Sequence, residues 1–311
     1  MNFDTKDNNI ILISYPPGGF GNFLYHVLTE FASDTVKISN NANFSFDKTG
    51  HSHSTIKYTC AYLHNSDYYN ATLTQDVDVS NKRILILADH GDNNTDHNYV
   101  KTKSFFPNAQ ILRVCVDQNT RHIVRRAIIE KGAGKNYEEE NLKHAEQHWG
   151  KTLTDADLRE NYTLMFHHHA NDNIVQDLNQ WHEVKCQNVI NLCLADLIRD
   201  PVKCIINLIE QLEMEVINSA KLKELCNQWQ NKNKKYFSSF KHWAQIQDSL
   251  NNNTNVSLSH VTSIYDQAYI NYRLECLYNI VIPVYDYRHW FGDVFAINHM
   301  IDKLTTKINV G

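Results

Sequence analysis

The sequence predicts an α/β fold: a three-layer sandwich on a central parallel sheet, entered through a P-loop-like strand, loop and helix. Three observations predict it. Short, almost unbroken apolar runs recur along the chain, most are followed by a helical pattern, and the first ends in a glycine-rich turn. Continuous apolar runs mark strands buried on both faces. Their alternation with helices marks a parallel sheet with helices on both sides.

The first run is Ile10-Ile11-Leu12-Ile13-Ser14-Tyr15, closed by Pro16 and Pro17. Beyond the glycines, Phe23, Leu24, Val27, Leu28 and Phe31 recur at helical spacing. Residues 40–80 are polar and irregular, with weak strand signals around 55–60. Arg83 to Ala88 is a second buried strand, ending in Asp89-His90-Gly91-Asp92. Ala109 to Val116 is a third, after which Asn119-Thr120 start a helix that Gly132 and Gly134 stop.

Residues 137–185 read as helical and amphipathic in pieces, and Val189 to Leu194 is the fourth strand. Asp200 as N-cap and Pro201 at the first helical position open a helix to about Glu213. Two more helices are expected over 219–250 and another over 260–278, with an exposed loop at Asn251 to Asn255. No repeat or domain boundary stands out. One domain over 1–311 is therefore expected, with 215–311 a mainly helical C-terminal extension of it.

With 311 residues, 42% of them apolar and 21% charged, the chain can bury a full core. A net charge of −5 gives no general attraction to nucleic acid or anionic membrane, so any anion site must be local. No apolar run approaches the ~20 residues of a membrane span. The polar stretch Met1 to Asn9 is not expected to be a signal peptide. The seven cysteines (60, 115, 186, 193, 204, 226, 276) form no CxxC pair, and several lie in apolar runs. Reduced thiols in a cytoplasmic protein are expected.

The loop Pro16-Pro17-Gly18-Gly19-Phe20-Gly21 carries the chemistry. Backbone amides in a glycine-rich turn entering a helix bind phosphate or sulfate oxygens, and glycine lets the backbone approach without a Cβ in the way. No Lys-Ser/Thr follows, so this is not a Walker A loop, and it is not GxGxxG. A tight turn without a ligand would use the same glycines.

Four segments together resemble the P-loop sulfotransferases, which use 3′-phosphoadenosine-5′-phosphosulfate (PAPS). Ser14 to Phe23 is similar to the family's 5′-phosphosulfate loop. Leu87-Ala88-Asp89-His90 falls where the family has a strand ending in Lys-Thr-His. Ala109 to Arg126 takes the place of the 3′-phosphate strand and helix. Leu194-Ala195-Asp196-Leu197-Ile198-Arg199-Asp200-Pro201 is close to the Tyr-Glu-Asp-Leu…Asp-Pro segment.

The resemblance implies transfer of a sulfuryl group from PAPS to a hydroxyl or amine of a small-molecule or glycan acceptor, leaving PAP and using no metal. Pro17, Gly18, Gly19, Phe20, Gly21 and Asn22 would hold the phosphosulfate, Arg121 and Arg125 the 3′-phosphate, and His90 would be the base. Pro17 stands where most members have Lys or Arg, Asp117 where the 3′-phosphate Arg is expected, and Arg125 in place of its Ser partner. Arg121 and Arg125 lie one turn apart on a helix and would fork onto one phosphate or form a solvated basic stripe beside Glu130.

Other readings share the loop. A nucleotide-sugar glycosyltransferase or nucleotide kinase would use it for a diphosphate, and a non-catalytic binding protein would keep the fold without the chemistry.

An imidazole suits the base because its pKa lies near working pH, and His90 follows the carboxyl end of a predicted strand. Asp89 or Asp92 would orient it or hold a cation. His167-His168-His169, read as extended, would point to alternate faces and so would not ligate one metal. The spacing of His51, His53, Cys60 and His64 matches no common zinc site.

Overall fold

The computed structural model describes residues 10–16, 18–35, 62–63, 83–88, 108–132, 137–169, 181–252 and 261–278. The chain divides into two units, residues 1–131 with 173–235 and residues 132–172 with 236–311. The division does not fall at residue 215, where the sequence reading begins its helical extension. Residues 173–235 stay with the sheet, and 132–172 go with the later helices.

Among its described residues the first unit holds five strands: β1 (Ile10–Ser14), β2 (Tyr62–Leu63), β3 (Ile84–Ala88), β4 (Gln110–Cys115) and β5 (Val189–Cys193). They form one sheet in the order β2-β3-β1-β4-β5, and every pairing is parallel. The four strands expected from apolar runs are all in it. The weak signal around 55–60 lies outside the described residues. Side chains from Ile10 to Ile13 are at most 1% exposed, as a strand with neighbours on both sides and covered faces requires.

Helix α1 (Gly21–Phe31) follows β1 and packs on β1 and β3. α2 (Arg121–Gly132) follows β4. The short α5 (Leu194–Arg199) leads into α6 (Pro201–Gln211), where the Asp200 carboxylate accepts the Lys203 amide at 3.1 Å, the N-cap expected of an Asp-Pro pair. α7 (Ser219–Lys232) has Asn218 as its cap, in a left-handed conformation (φ 59°).

The second unit is helical among its described residues: α3 (Tyr137–Trp149), α4 (Asp155–His169), α8 (Lys234–Asn252, from Tyr236) and α9 (Ile264–Tyr278). Thr154 and Asp157 make a capping box at the start of α4, the Thr154 amide and hydroxyl both donating to the Asp157 carboxylate at 2.9 and 2.8 Å. Those bonds hold the Asp157 pKa down to about 2.

α4 and α9 run parallel. Arg159 donates to Gln267 at 2.7 Å and His167 meets Glu275 at 2.8 Å, each pair separated by 108 positions. Between these rungs Phe166 packs against Tyr265, Tyr269 and Tyr272. The Asp266 carboxylate, 3% exposed, accepts the Ser238 hydroxyl at 3.0 Å.

α1 is buried on nearly every side, so His26 lies in the core. Burial pushes its pKa down to about 4 from an ordinary 6.5. The unfolded chain then takes up a proton near pH 6.5, which the folded chain refuses until near pH 4. Between those values the unfolded state binds more protons, and stability falls as pH drops, by up to about 3 kcal/mol. Urea unfolding across pH 4–7 should show this fall, and a folded His26→Gln variant should lose it. An identical slope in both proteins would exonerate His26.

Candidate anion site at the ends of β1 and β4

Past β1 the chain turns tightly: the Gly19 amide donates to the Pro16 carbonyl at 2.8 Å, and Gly18 has φ 73°. Phe20, the residue before α1, is also left-handed (φ 61°, ψ 23°) and supplies no side-chain cap. Its carbonyl accepts the Phe23 and Leu24 amides at 3.0 and 3.2 Å. The amides of Gly21 and Asn22 are the donors that helix geometry leaves over, and they carry the positive end of the α1 dipole. Of the predicted loop, Gly18, Gly19, Phe20, Gly21 and Asn22 are therefore in one continuous turn. Pro17 lies outside the described residues.

The glycines have a second reason to be glycines. A Cβ on Gly19 would stand 2.7 Å from the Pro16 Cδ and 2.8 Å from its carbonyl oxygen, and one on Gly21 would overlap the Tyr15 ring. Close packing of the loop on itself thus accounts for both positions without a ligand. For this reason a bulky residue at 19 would disturb the turn itself and would not be a clean probe of binding.

At the neighbouring corner, Asp117 ends the β4 segment and Thr120 precedes α2. The Asp117 carboxylate accepts the Thr120 hydroxyl at 2.7 Å, the Thr120 amide at 2.9 Å and the Asn119 side-chain amide at 3.3 Å. The Asp117 amide is returned to the Thr120 hydroxyl at 3.2 Å. The helix start expected at Asn119-Thr120 is built this way, and Asp117 is a clamp on the turn.

The arginines of α2 do not form a solvated stripe. Arg125 and Arg126 are 9% and 3% exposed, and Arg126 donates to the Lys235 carbonyl at 3.1 Å. Arg121 is the half-buried one. Arg113 in β4, 2% exposed, lies over Trp181 and donates to the His182 carbonyl at 3.2 Å, tying that segment to the sheet.

His90, Asp89, Asp92, His51, His53, Cys60 and His64 lie outside the described residues. The three consecutive histidines belong to the last turn of α4, not to an extended strand, and His167 is engaged by Glu275 and Tyr272. Among the described residues no group of three His, Cys, Asp or Glu could hold a metal, and no helix is long and apolar enough to cross a membrane.

The described cysteines are free thiols, and burial pushes Cys115, Cys204 and Cys226 up to about 12. They stay protonated; Cys115 and Cys226 serve as core, and Cys204 is half-buried. A cleft of about 620 Å³ opens between β5 and α6, lined by Cys193, Asp196, Arg199, Lys203, Asn207 and others. None of its lining residues belongs to the predicted site.

Sequence reasoning missed Trp229. It is fully buried in α7, stacked on Phe23 at 4.3 Å and edge-on to Phe20 at 5.3 Å. Its only signal was an aromatic at an inward helical position. No family, curated protein or solved structure matches this chain.

Gly21→Ala should destabilise the protein by about 2–3 kcal/mol with no ligand present, because Tyr15 has to move. Urea denaturation of the two proteins measures it. A loss under 0.5 kcal/mol would show that the Tyr15 ring yields freely.

Proposed function

We propose that the chain is a PAPS-dependent sulfotransferase whose first loop holds the 5′-phosphosulfate. One observation carries this: the β1 and β4 loops leave the carboxyl ends of adjacent central strands, where the sheet order reverses. Right-handed crossovers, the rule for parallel strands, would put helices on both faces of such a sheet, and ligands of open α/β sheets bind in the crevice such a reversal leaves.

The two loops divide the ligand between them. The leftover amides of Gly21 and Asn22 suit the 5′ end, with the α1 dipole adding attraction. At the 3′ end Asp117 is committed to Thr120 and carries the wrong charge for phosphate. Recognition there falls to Arg121, with Arg125 behind it. In the transfer step the acceptor hydroxyl attacks sulfur in line, its proton passes to His90, and the S–O bond to the phosphate breaks to release PAP. The clamp formed by Asp117 is also what a non-catalytic nucleotide-binding protein of this fold would keep, and that is the second reading.

Calorimetry with PAP and with AMP, which lacks the 3′-phosphate, tests the site. Arg121→Ala should weaken PAP by about 1.5–3 kcal/mol and AMP hardly at all. Equal losses for both ligands would detach Arg121 from the 3′-phosphate. Arg121 is the better probe because removing buried Arg125 disturbs the core as well.

Sulfate incorporation from PAPS into a panel of phenols, glycans and amines tests the reaction. His90→Ala should lower turnover by ~10²–10⁴-fold while PAP affinity holds. Wild-type turnover in that variant would dismiss His90 as base. A protein that binds PAP and sulfates nothing in the panel would favour the second reading.

A further inference from the structure

We infer that Trp229 is a positioning residue for the anion loop, acting through the backbone of Phe20; the inference rests on the loop reading above. A bulky residue at φ 61° is an outlier that sheds its strain unless something holds it. Phe20 is held by its ring, 4% exposed and set edge-on at 90° to Trp229. Phe23, one turn along the same helix start, lies flat on that indole with planes 5° apart. The indole thus grips the chain on both sides of Gly21 and Asn22, whose amides are the proposed donors.

The grip is itself fixed. The Trp229 carbonyl accepts the backbone and side-chain amides of Asn233 at 3.1 and 2.9 Å, and Asn233 is fully buried. The adjacent Gln230 side chain donates to the Ile198 carbonyl at 3.0 Å, anchoring α7 to α5. A residue more than two hundred positions along the chain therefore sets the direction of the first helical amides. With the clamp gone, Phe20 relaxes towards negative φ and the amides turn away.

The test is a double-mutant cycle read as PAP affinity by calorimetry, with pyrophosphate as a second probe. Trp229→Leu should weaken PAP about 5- to 30-fold, the equilibrium equivalent of releasing one left-handed residue. In a Phe20→Gly background the same change should cost less than twofold, because glycine takes positive φ unaided. A merely structural tryptophan would lower melting temperature alike in both backgrounds and leave affinity unmoved.

Should Trp229→Leu not fold, Trp229→Phe carries the same cycle. The single exchange to Phe should weaken PAP by more than threefold and the exchange in Phe20→Gly should not. Equal losses in both backgrounds, or none in either, overturn the inference and leave the loop reading standing. A wild-type protein that binds neither PAP nor pyrophosphate overturns the loop reading, and the inference goes with it.

Discussion

β1 is flanked by β3 and β4, and its side chains from Ile10 to Ile13 have no path to water. Burying four such residues is worth roughly 6–12 kcal/mol against the entropy of ordering them, so this strand has one register and one depth. The chain can leave it only through the gap between its neighbours at the carboxyl end. There it must reverse within a few residues to lay α1 back over the sheet. Gly19 against Pro16, Gly21 against Tyr15 and the left-handed Phe20 are all consequences of that confined exit. The local strain is met from outside the loop, by aromatic packing from α7.

β1 and β4 were legible because a buried parallel strand leaves a trace, a run with little polar alternation. A helix start was legible where a side chain does the capping, as at Asp200. The glycine-rich loop was legible as a turn, but its sequence carries two explanations, room for a ligand and room for its own neighbours. The packing of Gly19 on Pro16 and of Gly21 on Tyr15 supplies the second. The clamp role of Asp117 was hidden for a similar reason: a carboxylate looks the same in sequence whether it faces solvent, an ion or a hydroxyl three residues away.

Long-range relations were out of reach. Nothing local in residues 219–232 says that one tryptophan meets the loop after β1. Nor does composition shift where the chain passes between units, since both are built from amphipathic helices and ordinary apolar residues. The histidine run was read as extended because consecutive histidines carry no period. The helix around them is fixed instead by partners on α9, with His167 meeting Glu275 at the end of that register.

The parallel pairing of α4 with α9 has a consequence for how the protein is made. Parallel helices cannot be joined by a short turn, and here the return path runs through residues 173–235, which belong to the sheet unit. Each unit is therefore interrupted by the other, and no single cut in the chain yields either one whole. During synthesis Phe166 emerges long before the tyrosines of α9 that cover it. At ribosomal speeds of about 5–20 residues per second, the 108 positions between rungs take roughly 5–20 s. For that interval α4 offers an aromatic face to any chaperone or nascent neighbour. The order of birth, and not only the final packing, is thus a hazard this topology has to survive.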